Sequence, residues 1–422
     1  MNRILPITLL LLFASALLAE QPDRYWPKWR GAADAGSTSL GNYAAKFSGT
    51  DNLEWKTELP GKGCSTPIVW GENILLTCPV DGKDAVLSFD WSGKKRWQTT
   101  IGEERRGKHR NGSGSNPSVI TDDGKNLFVY FKSSNLACVS IDGQVLWKQN
   151  LQKKYARDTL YWDLGTSPVL TKDYVVIATL HAGESYLVAF ERKTGKQAWY
   201  ISRNYKTPTE GDHSYSTPHV IERDGKEIIV VWGAEHLTGH DATDGSIIWS
   251  AGDFNPTGKR NWVTVASTVI AGDMVVIPYG RGSRLAGVKL NGKGDVTKSH
   301  RPWTRQDTGA FVPTPAVHDG KVYMLRDRGE VVCVDPSNGK TVWSGKLPKK
   351  GSSYYSSPTV ADGKIYCTRE DGVIFVATAN EKFELLSENN MGERVIASPV
   401  PVANRLLLRG EKHLFCVNAP KD

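Results

Sequence analysis

Apolar and polar residues alternate in short runs through most of the chain, and pairs such as Asp-Gly, Asn-Gly and Thr-Gly punctuate the runs. Alternation with a period of two marks half-buried strands, and these pairs supply the positive φ of a tight hairpin. The stretch from 315 to 344 shows the pattern most fully. Pro315-Ala316-Val317, Lys321 to Leu325, Val331 to Val334 and Thr341 to Ser344 read as strands A to D, with turns at Asp319-Gly320 and Asn338-Gly339-Lys340.

That unit recurs. A Ser/Thr-x-Pro motif or a close relative opens eight copies, from Ser65-Thr66-Pro67 and Ser115-Asn116-Pro117 to Ser356-Ser357-Pro358 and Ala397-Ser398-Pro399. A Trp closes most of them, at Trp97, Trp147, Trp199, Trp249, Trp303 and Trp343, with Phe383-Glu384-Leu385 in that place in the seventh. Four antiparallel strands at a period of roughly 40–50 residues make the blade of a β-propeller. The eighth copy stops after strand C, His413 to Asn418, and the missing Trp strand stands at the other end of the chain as Leu53-Glu54-Trp55-Lys56-Thr57. Borrowing it closes the ring and removes free sheet edges. The expectation is an all-β, single eight-bladed propeller of four-stranded antiparallel blades over 53–418, preceded by a non-repeat strap over 20–52.

The first nineteen residues differ in kind. Arg3 precedes an apolar run from Ile4 to Leu18 that ends in small residues, Ala14-Ser15-Ala16 or Ala19. This reads as a signal peptide over 1–19, too short for a membrane span. The mature protein is expected to be secreted, periplasmic or extracellular, without a transmembrane segment. No Cys follows the cleavage region, so no lipid anchor is expected there.

Composition adds limits. With 41 Gly and 14 Trp against 4 Met, the chain suits a turn-rich β protein. A net charge of +8 is too small for this length to imply nucleic-acid binding. The nine His show no metal-ligand spacing, no His-Glu-x-x-His or Gly-x-Ser-x-Gly occurs, and Gly339-Lys340-Thr341 is a hairpin turn. Cys64, Cys78, Cys138, Cys333, Cys367 and Cys416 are all separated; Cys138, Cys333 and Cys416 share one strand C slot and read as small apolar fillers. The Trp series reads as packing between blades.

The segments Val188 to Trp199 and Val332 to Trp343 resemble the pyrroloquinoline-quinone-type propeller repeat, roughly Ala-x-Asp-x-x-Thr-Gly-x-x-x-Trp, over residues ~53–418. Trp26-Pro27-Lys28-Trp29-Arg30-Gly31 is similar to the opening of secreted bacterial members. The resemblance implies one of two roles. BamB-like outer-membrane assembly propellers are non-catalytic, whereas quinoprotein alcohol dehydrogenases hold the quinone and calcium over the mouth. Those dehydrogenases carry an adjacent Cys-Cys pair that this chain lacks, and no calcium carboxylate or catalytic Asp can be placed on a family motif.

The loops from strand D to the next strand A share one face with the B-to-C loops. Summed over the D-to-A loops, Lys and Arg outnumber Asp and Glu by as much as the +8 of the entire chain. Arg105, Arg106, Lys108, Arg110, Lys153, Lys154, Arg157, Lys259, Arg260, Lys349 and Lys350 supply the charge. Aromatics sit beside them at Tyr161, Trp162, Tyr215, Trp262, Phe311, Tyr354 and Tyr355, and the B-to-C loops add Arg281, Arg284, Arg326, Arg328, Arg369 and Arg409. With Asp163, His213 and Arg110 as the polar residues of first interest, this face is the candidate site for a protein partner or anionic polymer. The expected reading is a monomeric, non-catalytic scaffold with no cofactor. The alternatives are a pyrroloquinoline-quinone and calcium-dependent alcohol or sugar dehydrogenase, or a carbohydrate-binding propeller.

Overall fold

The computed structural model describes residues 24–420; the proposed signal peptide lies outside them. Eight sheets form the blades, and the sixth illustrates the match to the expected strands: Ala316–His318, Lys321–Leu325, Glu330–Val334 and Thr341–Lys346 in antiparallel order. Asp319 and Gly320, at φ 46° and 68°, make the A-to-B turn. The N-terminal strand Leu53–Glu58 pairs with His413–Val417 and completes the eighth blade, as the ends of the chain imply.

Not every blade has four strands. In the second, strand A is reduced to one bridge between Ile120 and Phe128, leaving three strands. The first, fourth and seventh gain a fifth. In the fourth the extra strand, Gly294–Asp295, comes from the C-to-D insertion of the fifth blade and pairs in parallel with Ile247–Ala251.

The other two extra strands belong to the strap. It crosses the face of the A-to-B turns. Tyr25–Trp26 pairs with Ile68–Trp70 of blade one, Pro27 accepts from Thr121 N of blade two, and Asp34 meets His219 of blade four at 2.8 Å. Ser37–Thr38 then pairs in parallel with Thr359–Ala361 of blade seven, and Asn42 N reaches Asn404 of blade eight. Buried Trp26, Tyr43, Ala44 and Phe47 hold this path down.

Two belts join the blades, and together they explain the recurring residues. Around the channel, backbone N–H groups donate to hydroxyls of the next blade: Thr66 to Ser118, Ser118 to Ser167, Ser167 to Thr217, Thr217 to Ser267, Ser267 to Thr314, and Thr314 to Ser357, all within 2.9–3.0 Å. Ser398 N donates to Thr66 at 3.3 Å across the closure. Of the seven hydroxyls that accept in this belt, six are the middle residue of the opening motif; the second blade uses Ser118, after Pro117, rather than Asn116. At the periphery, Trp55, Trp97, Trp147, Trp199, Trp303 and Trp343 each donate an indole N–H to a carbonyl of the following blade.

Candidate functional site

The D-to-A loops converge on a cavity of about 450 Å³ at the mouth of the ring, lined by residues from all eight blades. Its floor includes the belt residues Thr66, Ser118, Ser167, Thr314, Ser357 and Ser398, and Trp29 of the strap closes it from below. The wall is aromatic on one side. His109 meets Trp162 edge-on at 5.1 Å and Tyr355 at 6.0 Å, and Tyr161 meets Trp162 at 4.7 Å. Opposite, the Arg281 guanidinium lies over Phe311 at 4.4 Å. Tyr161 and Trp162 are 57% and 44% exposed, an unusual amount for such large rings.

Ion pairs between loops shape this wall. Asp163 is buried against Lys132, itself buried, and accepts from Lys108 N at 2.7 Å and His109 N at 2.9 Å. Those bonds fold the 107–112 loop inward. Buried Glu370 of blade seven accepts from Arg110 at 2.9 Å, Asn111 Nδ2 at 2.6 Å and Ser353 N at 3.0 Å, with Arg394 at 3.4 Å. His109 Nδ1 accepts from Asn111 N at 3.1 Å, which places the neutral ring's proton on Nε2. Burial is the main cause that holds His109 below the usual imidazole range. Cys64 also lines the cavity, and its burial pushes the thiol up to about 11, so it is a poor nucleophile there.

Of the residues singled out in the sequence, Tyr161, Trp162, Asp163, His213, Tyr215, Arg281, Phe311 and Tyr355 line the cavity. Arg110 is on its rim through Glu370. Trp262 borders a smaller neighbouring cavity under Lys259 and Arg284, at 5.4 and 5.9 Å. Others do not belong to an open rim. Tyr354 is buried, donating to Pro348 O, and Tyr215 is buried, its hydroxyl accepting from Trp162 N. Arg326 pairs with Glu330 and Arg369 with Asp371, while Arg409 is buried between the last blade and the first, donating to Ser65. These cations are structural, because a guanidinium can turn inward to carbonyls and carboxylates. His109, Asn111, Lys132, Glu370 and Trp29 were missed. His109 and Asn111 sit in the basic run from Arg105 that drew attention to this loop, whereas Lys132 and Glu370 carry no local signal.

The six cysteines are free thiols, and five are buried. In strand pairing Cys138, Cys333 and Cys416 lie opposite Trp147, Trp343 and Trp55, and the same slot holds Ser88, Ala189, Gly239 and Gly287 elsewhere. A small residue there leaves room for the indole, which accounts for these three cysteines as packing.

Comparison with known proteins agrees with this architecture. The family model described as outer membrane protein assembly factor BamB matches residues 43–213, 132–308 and 295–413. No curated protein sequence matches the chain. Among solved structures, BamB from Moraxella catarrhalis is similar at 13% identity and a TM-score of 0.61, covering 86% of this chain and 99% of that one. A europium-containing methanol dehydrogenase covers 93% and 91% at 11% identity and 0.68. The quinohemoprotein alcohol dehydrogenase from Comamonas testosteroni covers 94% and 81% at 13% identity and 0.69. At such identities these structures share a fold, and a fold hosts several functions. The family match, running through nearly all the blades, makes this chain a member of the family of the outer membrane protein assembly factor BamB, built of pyrroloquinoline-quinone-type repeats.

Proposed function

We propose that the chain is an exported, non-catalytic binding propeller whose mouth face engages an acidic protein surface or another anionic ligand. The supporting observation is the state of the charges at the mouth. Each oxygen of Glu370 and of Asp163 is already engaged by cations or N–H groups of the wall. Arg281 and Lys108 stay exposed beside Phe311 and Tyr161, with no carboxylate partner among the described residues. A rim of aromatic anchors beside unspent cations favours an acidic partner and steers its approach.

The same observation bears on the quinone and calcium that related dehydrogenases use. Calcium takes roughly six to eight oxygen ligands, carboxylates prominent among them. Of the two carboxylates that line the cavity among the described residues, Asp163 is neutralised by Lys132, which leaves Glu210. The residues present do not fit that group, and no reaction step is assigned to it.

The test uses two measurements on the exported protein. A photo-crosslinking residue at Trp162 is expected to trap one protein partner in the producing cell, an adduct lost in Arg281→Glu and absent with the crosslinker at Asp319 on the opposite face. Calorimetric titration with pyrroloquinoline quinone and calcium is expected to give no saturable binding. Saturable calcium-dependent binding, or equal crosslinking from both faces, refutes the reading.

A further inference from the structure

Below the mouth, the strap places a second unusual group in the channel. Arg30 is 2% exposed, and its Nη2 donates to Pro315 O at 3.0 Å and Pro358 O at 2.8 Å. Its Nε and Nη1 have no hydrogen-bond partner among the described residues. Burial lowers its pKa only to about 10, so at neutral pH it remains a cation.

Arg30 lines a void of about 10 Å³ together with Thr217, Ser267 and Thr314. These are three consecutive members of the inner belt. Each hydroxyl already accepts a backbone N–H, and none donates to any described residue. The void is therefore bordered by a guanidinium that can only donate and by three hydroxyls whose protons are uncommitted. Asp34, also at the void, is matched by His219 at 2.8 Å and Lys28 at 3.8 Å and makes no hydrogen bond to Arg30. Arg30 and Lys28 against Asp34 leave one positive charge in excess.

One water would fit this space, since about 10–15 Å³ of such volume holds one. A water makes about three hydrogen bonds, partly as donor, and cancels no charge. A small spherical anion accepts from every direction and neutralises the cation. We propose that the void is a binding site for a single monatomic anion of the halide class, held by Arg30 and the Thr217, Ser267 and Thr314 hydroxyls. The ion would join the strap to blades four, five and six, where Arg30 itself already reaches blades six and seven. The void shares Trp29 and Thr314 with the floor of the mouth cavity but uses none of the rim aromatics or rim cations.

The test is thermal unfolding of the exported protein at constant ionic strength in sodium chloride, bromide or gluconate. The melting temperature is expected to rise by about 2–4 °C in chloride and bromide, saturably with concentration, and not in gluconate. Arg30→Met should abolish this dependence; should that variant not fold, Ser267→Ala should weaken the apparent halide affinity several-fold while the gluconate baseline simply shifts. Crystals grown in bromide should show an anomalous peak between Arg30 and the three hydroxyls. Equal melting in chloride and gluconate overturns the proposal, as does density at the void without anomalous signal. A bromide peak without halide-specific stabilisation marks an adventitious ion only and overturns it too.

Discussion

His240 shows how one buried side chain sets a pH limit on this ring. It sits on strand C of blade four, fully buried, its Nδ1 bonded to Gly245 O at 2.8 Å and its Nε2 to Thr238 Oγ1 at 2.9 Å. The carbonyl can only accept, so the first contact places the ring proton on Nδ1, and the Thr238 oxygen at Nε2 already accepts from the Arg203 guanidinium. Burial, aided by nearby Arg203 and opposed by the Gly245 carbonyl, brings its pKa down to about 4. The unfolded chain then binds a proton that the folded chain refuses. The stability it contributes is complete above an unfolded pKa of ~6.5 and is lost as pH falls toward 4, up to about 3 kcal/mol. Chemical denaturation of the wild type against His240→Gln, from pH 7.5 to 4.5, should show the steeper decline in the wild type. Parallel curves would mean that His240 is not the group responsible. Asp84, raised to about 6 by burial, titrates in the opposite sense and cancels in the comparison.

Between blades, the peripheral belt explains why a glycine precedes so many of the closing tryptophans. Gly195 of blade three, at φ 69°, lies under Trp147 of blade two, and a Cβ there would meet the ring at 2.5 Å. Gly225, at φ 72° in an A-to-B turn, faces open space. Gly225→Ala should therefore cost only its backbone strain, about 1 kcal/mol, while Gly195→Ala adds the displacement of a docked indole and should cost clearly more. Equal losses in urea denaturation would show that the Trp docking contributes little. These glycines and tryptophans made the blades legible in sequence, because turn chemistry and strand alternation are local properties. The second blade shows the limit of that legibility. Its hydroxyl falls two residues later than the motif implies, at Ser118 rather than position 116, since the belt is defined by contacts with neighbours rather than by Pro117. The site was less legible for the same reason. Arg110 with Glu370 and Lys132 with Asp163 join distant loops, and nothing local separates an exposed Arg281 from a buried Arg409.

At the scale of the molecule, ring closure and channel closure are done by different pieces of the N-terminal region. Leu53–Glu58 supplies the last strand of blade eight, so the ring is sealed without help from residues 24–52. The strap instead spans the opposite face, touching blades one, two, four, six, seven and eight through backbone pairs and side-chain contacts. Its path follows no repeat, and side chain-to-backbone contacts leave no periodic trace in sequence, which is why no route could be read for it. Such an element should add stability without specifying the topology. A variant that begins at residue 53 is expected to retain the β-sheet circular dichroism of the full protein. Its melting temperature should fall, because buried Trp26, Arg30, Tyr43 and Phe47 and the strand pairs at blades one and seven are lost together. The unfolding should remain one cooperative transition, since the closed ring still couples every blade to two neighbours. Loss of the sheet signal would assign the strap to folding itself, and an unchanged melting temperature would show that its buried contacts contribute nothing net.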